Sequence, residues 1–87
     1  MFSIKNMLIN INLTNLTILN GTSASETIQG IDWTANNIFG AEGDDLIIGK
    51  NHSDIINGGI GNDNINGGVG NDQLIGGLGY DVLIGGA

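Results

Sequence analysis

The sequence of 87 residues contains no cysteine and no proline, a single histidine and few aromatic side chains. The absence of cysteine excludes disulfide cross-links. Because His52 is the one imidazole, a zinc centre built from thiolates and imidazoles is excluded as well. A chain of this length buries only a modest core, and without disulfides such a domain usually depends on a bound metal or on self-association.

Basic side chains are also scarce. Two lysines stand against nine acidic residues, which gives a formal net charge of −7. Such a surface repels nucleic acids and anionic membranes, so neither is an expected partner, and it attracts cations. No apolar run is long enough to cross a bilayer. The N-terminal segment lacks the unbroken apolar core and the small-residue cleavage site of a secretory signal.

Glycine, by contrast, occurs 16 times and recurs at fixed places. From residue 40 onward the chain divides into nine-residue units, which read GAEGDDLII, GKNHSDIIN, GGIGNDNIN, GGVGNDQLI, GGLGYDVLI and a shortened GGA. The sixth place of every complete unit is aspartate: Asp45, Asp54, Asp63, Asp72 and Asp81. The eighth place is aliphatic: Ile47, Ile56, Ile65, Leu74 and Leu83.

The same period extends backwards in a weaker form. GIDWTANNIF is one unit with an extra residue, and GTSASETIQ is another. Their eighth places are Ile38 and Ile28, and Leu19 lies nine residues earlier. Their sixth places are Asn36 and Glu26 instead of aspartate. The apolar column is therefore longer than the aspartate column, and we expect residues 21–39 to form coils with no ion or a poorly held one.

This period predicts the fold. Glycine at such density does not suit a helix, whereas the last three places of each unit suit a short strand and the first six a tight turn with positive φ. Two units then make one coil of 18 residues, and successive coils stack as parallel strands roughly 4.8 Å apart. The predicted architecture is all-β, a right-handed parallel β-roll or β-solenoid without substantial helix, with the eighth-place side chains directed inwards.

Residues 1–20 have a different pattern. Ile9, Ile11 and Leu13 alternate with asparagine, which is the period of a strand. We therefore expect this segment to be an N-terminal strand or cap over the first coil, with a partly disordered leader as the alternative.

The aspartate column has a chemical consequence. Units two apart have their turns on the same edge, so Asp63 is expected to stack between Asp45 and Asp81, and Asp72 on Asp54. Like charges about 5 Å apart repel by about 1 kcal/mol even in a high dielectric, so stacked carboxylates need a counter-ion. Carboxylates and carbonyl oxygens of the glycine turns form a flexible all-oxygen cage, which suits Ca²⁺ better than zinc or magnesium.

The units GGIGNDNIN, GGVGNDQLI and GGLGYDVLI resemble the hemolysin-type repeat of the RTX family, GGxGxDxUx, in which U is a large aliphatic residue. The match is nearly complete over 58–84, partial over 40–57 and degenerate over 21–39. The resemblance implies that 40–87 binds about three to four calcium ions, each held between two turns on one edge by aspartates and backbone carbonyls. The carbonyl ligands that the resemblance implies are those of Gly43, Gly59, Gly61, Gly68, Gly70, Gly77 and Gly79.

The implied sites lie between turns 40–45 and 58–63, between 49–54 and 67–72, and between 58–63 and 76–81; a fourth, between 67–72 and 85–87, would lack its aspartate. Unit 49–57 departs from the family pattern at Lys50, Asn51 and His52, so a site that uses its turn is expected to be weaker.

The remaining distinctive residues have plainer interpretations. We expect His52 and Tyr80 to be exposed, Trp33 to pack over a coil edge, and Glu42 and Asp44 to be solvated rather than extra ligands. N-x-[ST] triplets at Asn12, Asn15, Asn20 and Asn51 matter only in a source that glycosylates asparagine.

Three functions are open at this point. The first is an extracellular or cell-surface module that folds on binding calcium, as the family's export by type I secretion implies. The second is a filament that assembles through uncapped solenoid ends. The competing interpretation is that the chain is a fragment of a larger secreted RTX toxin or enzyme. The third, an enzyme, is not expected, since the sequence has no catalytic constellation outside the repeats.

Overall fold

A computed structural model describes residues 8–11, 16–32 and 34–86 of the chain. These residues contain no helix. Nine strands follow one another: β1 (Leu8–Ile11), β2 (Leu16–Asn20), β3 (Thr27–Gln29), β4 (Ala35–Phe39), β5 (Leu46–Ile48), β6 (Ile55–Asn57), β7 (Asn64–Asn66), β8 (Gln73–Ile75) and β9 (Val82–Ile84). From β5 onward each strand comprises the last three places of a nine-residue unit, as the sequence predicts.

The strands form two sheets, one on each wall of a solenoid. One sheet has the order β1-β2-β4-β6-β8 and the other β3-β5-β7-β9, and every pair other than β1–β2 is parallel. Ile47 pairs with Ile65 and Ile56 with Leu74, so successive coils are offset by 18 residues. The predicted all-β parallel solenoid with this coil length is confirmed.

The first coil is one residue longer than the others. Leu19 pairs with Ile38, and Ile28 with Ile47, an offset of 19 in each case. The extra residue belongs to the turn after Gly30. The prediction for Trp33 in that turn lies outside the described residues.

The core is a column of single aliphatic side chains. All are fully buried from the first coil to the seventh strand: Leu19, Ile28, Ile38, Ile47, Ile56 and Ile65. Leu74 packs against this column, whereas Leu83, which no described coil covers, is 46% exposed. Because each coil contributes only one such residue per wall, the apolar core is thin.

The N-terminal end differs from the repeats in strand direction. Strand β1 pairs antiparallel with β2, with Ile9 opposite Leu19, and so lies along the edge of the five-stranded sheet. Residues 1–7 and 12–15 lie outside the described residues, and the division of the chain at residue 20 stays a prediction. No helix that could span a membrane occurs in the described part of the chain.

Candidate metal centre

The sixth-place aspartates lie inside the solenoid because of the pleat of the strand. Alternate residues of an extended segment point to the same face. The sixth place, the eighth place and the first place of the next unit therefore all face inwards, as Asp45, Ile47 and Gly49 do. The exposed fractions of Asp45, Asp54 and Asp63 are 2%, 1% and 2%. Burying carboxylates at this depth is costly unless each oxygen has a partner.

One oxygen of each carboxylate does have a partner in the neighbouring coil. The backbone N–H of Asp45 donates to Oδ1 of Asp63 at 2.9 Å, and that of Asp63 to Oδ1 of Asp81 at 2.8 Å. On the other edge, the N–H of Asp54 donates to Oδ1 of Asp72 at 2.8 Å. The structure thus brings the five predicted aspartates together as two columns, one of three and one of two.

The second oxygen has no partner. The Oδ2 atoms of Asp45, Asp54, Asp63 and Asp72 are buried without a hydrogen-bond partner among the described residues. A buried polar atom left unpaired costs about 1–3 kcal/mol, and a charged one costs more. Two such atoms on each edge, those of Asp45 and Asp63 and those of Asp54 and Asp72, indicate that a positively charged group belongs beside each column.

Backbone carbonyl oxygens approach the same places. A point where a Cβ on Gly40 would lie is 2.8 Å from Oδ2 of Asp45 and 2.6 Å from the carbonyl oxygen of Gly58. The corresponding point at Gly49 is 2.6 Å from Oδ2 of Asp54 and 2.7 Å from the carbonyl oxygen of Gly67. A carboxylate oxygen and a carbonyl oxygen from the next coil therefore lie close to one point, and both are acceptors.

In the complete units the first-place glycine lies against the sixth-place side chain, a relationship that the sequence analysis missed. A side chain at this place would collide with Oδ2 of the unit's own aspartate, at 2.5 Å for Gly58 and 2.6 Å for Gly76. The signal was present in the sequence, since the first place is glycine in every unit, including the degenerate ones: Gly21, Gly30, Gly40, Gly49, Gly58, Gly67, Gly76 and Gly85.

The predicted glycines at the second and fourth places occupy the turns. All have the left-handed backbone that favours glycine: Gly43, Gly59, Gly61, Gly68, Gly70, Gly77 and Gly79. Stacking adds a second requirement, because a Cβ on Gly59 would strike the carbonyl oxygen of Ala41 in the preceding coil. The Gly59 carbonyl itself accepts a hydrogen bond from the N–H of Leu78 at 3.1 Å. Second-place carbonyls thus bind the next coil directly.

Unit 49–57 keeps the shape of this turn without glycine. Lys50 and His52 have φ values of 75° and 72°, in the left-handed region that the three units of 58–84 fill with glycine. Lys50 also lies 4.0 Å from Oδ2 of Asp32, in the turn of the preceding coil. The departure from the family pattern therefore adds backbone strain, and the expected weakening of this site stays a prediction.

Burial governs the protonation of the aspartates. It raises the pKa of Asp45 from 3.8 to about 7, and the neighbouring charges of Asp63 and Glu26 add to the rise. Burial likewise raises the pKa of Asp54 to about 6, with a further contribution from Asp72. The pKa of Asp63 is raised for the same reason, and the charges of Asp81 and Asp44 add to the rise. Without a cation, the columns resist full ionisation.

The outer surface of the turns is a separate arrangement. Asp44 accepts a hydrogen bond from the N–H of Asn62 at 2.8 Å, and Asn62 accepts one from the N–H of Tyr80 at 2.9 Å. These fifth-place residues are exposed, Tyr80 by 90%, and Glu42 and His52 are exposed as well. This outer ladder connects coils through solvent-facing amides and does not contribute side chains to the inner columns.

The residues present fit calcium. Within residues 8–11, 16–32 and 34–86, no three acidic or histidine side chains cluster as a metal site. Carbonyl oxygens must therefore complete the coordination that one or two carboxylates begin. Calcium accepts such mixed oxygen ligands in flexible geometry. The unpartnered Oδ2 atoms supply the required negative charge.

Comparison with known proteins agrees with this geometry. The sequence model of the RTX calcium-binding nonapeptide repeat, which describes four copies, matches residues 32–65 and 48–83. No curated protein and no solved structure matches the chain. The matched repeats form a calcium-binding β-roll, which is a structural rather than a catalytic fold. Since the two matches together span more than half of the sequence, the chain belongs to the RTX calcium-binding nonapeptide repeat family.

Proposed function

We propose that this chain is an extracellular structural module whose repeat coils fold when calcium enters between the stacked aspartates. The observation that supports this most directly is the set of four buried Oδ2 atoms without partners. A cation beside them replaces four unpaired acceptors with coordinated ones. Calcium would supply positive charge to the carboxylates, and the chain's own residues would supply the cage.

The energetics favour coupling of binding to folding. The core is one aliphatic residue wide on each wall, and the 16 glycines lose much conformational freedom on ordering. Like charges within the columns of Asp45–Asp63–Asp81 and Asp54–Asp72 oppose the stack. A metal that binds only the folded coils adds its binding free energy to their stability.

Three spaces between coils hold the proposed ions. Two lie on the edge of Asp45, Asp63 and Asp81, and one lies on the edge of Asp54 and Asp72. A fourth ion, at turn 67–72, would have one aspartate. The carboxylate Oδ2 atoms are the proposed side-chain ligands. Carbonyl oxygens of the turn glycines complete the coordination. The carbonyl oxygens of the first-place glycines Gly58 and Gly67 are additional proposed ligands.

An extracellular location follows from the expected affinity. Extracellular calcium modules typically bind at roughly 10⁻⁴–10⁻³ M. At that affinity the coils stay unfolded at the low calcium level inside a cell and fold outside it. The same threshold would permit export of an extended chain.

Circular dichroism of the purified chain tests the proposal. We expect a coil-dominated spectrum in EDTA and a β-sheet spectrum in millimolar calcium, with magnesium at the same concentration as the control for ionic strength and charge. Identical spectra with and without calcium would overturn the proposal. A transition that magnesium produces equally well would overturn the assignment of the metal.

A second role, end-to-end association of two copies, is favoured by the exposed last coil. Leu83 is 46% exposed although Ile65, its counterpart one coil earlier, is fully buried. Within the described residues β9 is the last strand of its sheet, and its outer edge can pair with a parallel strand of a second chain.

Sedimentation velocity in calcium tests this role. We expect the wild-type chain to associate with rising concentration and Leu83→Asp to stay monomeric. A wild-type chain that stays monomeric throughout would reject association and favour the alternative, in which the module is part of a larger secreted RTX toxin or enzyme.

A further inference from the structure

Asn36 occupies the sixth place of its unit, where the following units have aspartate. It lies on the edge of Asp54 and Asp72, one coil before Asp54, and is fully buried. Its backbone N–H donates to Oδ1 of Asp54 at 2.9 Å, as the corresponding N–H of Asp54 does to Asp72. The main chain of this coil is therefore stacked like the others, and only the side-chain chemistry differs.

The orientation of the Asn36 amide is fixed by its surroundings. Oδ1 accepts a hydrogen bond from the N–H of Ile31 at 3.0 Å. Nδ2 faces acceptors alone: it lies 2.9 Å from Oδ1 of Asp54, 3.2 Å from the carbonyl oxygen of Thr34 and 3.4 Å from that of Gly49. A reversed amide would place an oxygen against a carboxylate and three carbonyls, since the Ile31 carbonyl also lies 3.4 Å from Nδ2, so the donor must point into this space.

This nitrogen stands where the other units have an unpartnered oxygen. The point at which a Cβ on Gly30 would lie is 2.6 Å from Nδ2 of Asn36 and also contacts the carbonyl oxygen of Gly49. One coil later, the equivalent point at Gly49 is 2.6 Å from Oδ2 of Asp54 and 2.7 Å from the carbonyl oxygen of Gly67. Two acceptors therefore lie around the point at Gly49, whereas a donor and an acceptor lie around the point at Gly30.

We propose that the amide of Asn36 takes the place of a calcium ion between turns 30–36 and 49–54. This inference rests on the proposed function, in which calcium fills the later spaces. The amide supplies partial positive charge to Asp54 and to the Gly49 carbonyl without any metal. The contact between β4 and β6 is therefore independent of calcium, and it presents an ordered Asp54 to the first calcium space on this edge.

On the opposite edge of the same coil, the sixth-place residue is Glu26 and no side-chain amide takes the place of an ion. Both oxygens of Glu26 accept hydrogen bonds from Thr22, one from the N–H at 2.7 Å and one from Oγ1 at 2.9 Å. The carboxylate of Glu26 is thus satisfied within its own turn. The point at which a Cβ on Gly21 would lie still has two acceptors around it, Oε1 of Glu26 at 2.7 Å and the carbonyl oxygen of Gly40 at 2.5 Å. The inference is therefore confined to Asn36.

The isosteric substitution Asn36→Asp tests the proposal. It replaces Nδ2 by an oxygen of the same size and converts the space into one with facing acceptors. Native mass spectrometry in saturating calcium should then count one ion more per chain than in the wild type. Asn36→Ala, which removes the donor without adding a carboxylate, should bind the wild-type number.

Hydrogen exchange in EDTA gives a second measurement that does not depend on ion counting. In the wild type, the backbone N–H of Asn36 and the amides that pair β4 with β6 should be more protected than those that pair β6 with β8. Both variants should lose this difference. An Asn36→Asp chain that binds the wild-type number of ions, or equal protection of the two strand pairs in the wild type, would overturn the proposal.

These results separate the inference from the function on which it rests. A wild type that binds calcium, combined with an Asn36→Asp variant that gains no ion, rejects the role of Asn36 and leaves the calcium-folded module intact. A wild type that binds no calcium rejects both.

Discussion

Oδ1 of Asp63 accepts a hydrogen bond of 2.9 Å from the backbone N–H of Asp45, while Oδ2 of the same carboxylate is buried with no partner. Each aspartate of the column is thus held by one oxygen and left open at the other. The geometry fixes the direction of the open oxygen before any ion binds. Asp63 is also the middle member, since its own N–H donates to Asp81.

This position makes Asp63 the residue whose loss removes the most calcium. It borders two of the proposed spaces, whereas Asp81 borders one. We expect Asp63→Ala to bind two ions fewer than the wild type and Asp81→Ala one fewer, as counted by native mass spectrometry in saturating calcium. Asp44→Ala, on the exposed outer ladder, is the matched control and should keep the full number. Equal losses for Asp63→Ala and Asp81→Ala would contradict the assignment of shared sites.

Protons are expected to replace calcium in part. Burial raises the pKa of Asp45 from 3.8 to about 7 and that of Asp54 to about 6 in the folded, metal-free chain. Between about pH 4 and pH 7 the folded state therefore binds more protons than the unfolded state, so its free energy of unfolding increases as pH falls through this window. Circular dichroism of the calcium-stripped chain should therefore show more folded β-structure at pH 5 than at pH 8.

The pH effect has its own control. Asp45→Asn and Asp54→Asn together remove two of the three aspartates whose pKa burial raises, Asp63 being the third, and should weaken the dependence on pH. In the presence of calcium the direction reverses, because protons compete with the metal for the carboxylates. A calcium-free wild type that is no more stable at pH 5 than at pH 8 would show that burial does not govern these pKa values.

The turn glycines are expected to be intolerant of any side chain where coils stack. Gly59 has φ of 89°, and a Cβ there would strike the backbone carbonyl of Ala41. We expect Gly59→Ala to raise the calcium concentration needed for folding at least severalfold, as measured by circular dichroism. Gly85→Ala is the control, since nothing lies within 4 Å of a Cβ at that residue. A Gly59→Ala chain that folds at the wild-type calcium concentration would exclude tight stacking of the turns.

Two neighbouring isoleucines of β6 allow a core position to be compared with a surface position. Ile56 is fully buried, and Ile55 is 42% exposed. In calcium, Ile56→Ala should lower the free energy of unfolding by about 2–5 kcal/mol, because it leaves a cavity in a column one residue wide. Ile55→Ala should cost less than about 1 kcal/mol by the same chemical denaturation. Comparable losses would mean that the inward direction of the eighth place is wrong.

The period of the sequence was sufficient to predict the coil, the strands and the two aspartate columns. Places six and eight lie on one face of an extended segment. The recurrence of aspartate at the sixth place, as at Asp54, and of an aliphatic residue at the eighth, as at Ile56, therefore predicts both the carboxylate columns and the core. The first-place glycines were missed because a residue without a side chain gives no hint of which neighbour it accommodates. The clash of a Cβ on Gly58 with Asp63 becomes evident only when the turn is closed.

The role of the sixth-place residues in the degenerate units could not be predicted from the sequence for a different reason. Asn36 differs from aspartate by one atom, and its significance comes from acceptors in another coil, Asp54 and Gly49. Similarly, Lys50 and His52 predict a weaker site but not the conformation of their turn, which the structure shows to be left-handed at both residues. Stacking on neighbouring coils imposes the conformation against local preference.

A crystal structure grown in millimolar calcium, with anomalous scattering to identify the ions, would show directly whether calcium binds between the stacked aspartates. We expect an ion at 2.3–2.6 Å, the usual calcium–oxygen distance, from Oδ2 of Asp45, Asp54 and Asp63, and no ion beside Asn36. Coils that are fully formed at that calcium concentration, with the Oδ2 atoms still free of any ion, would contradict the account.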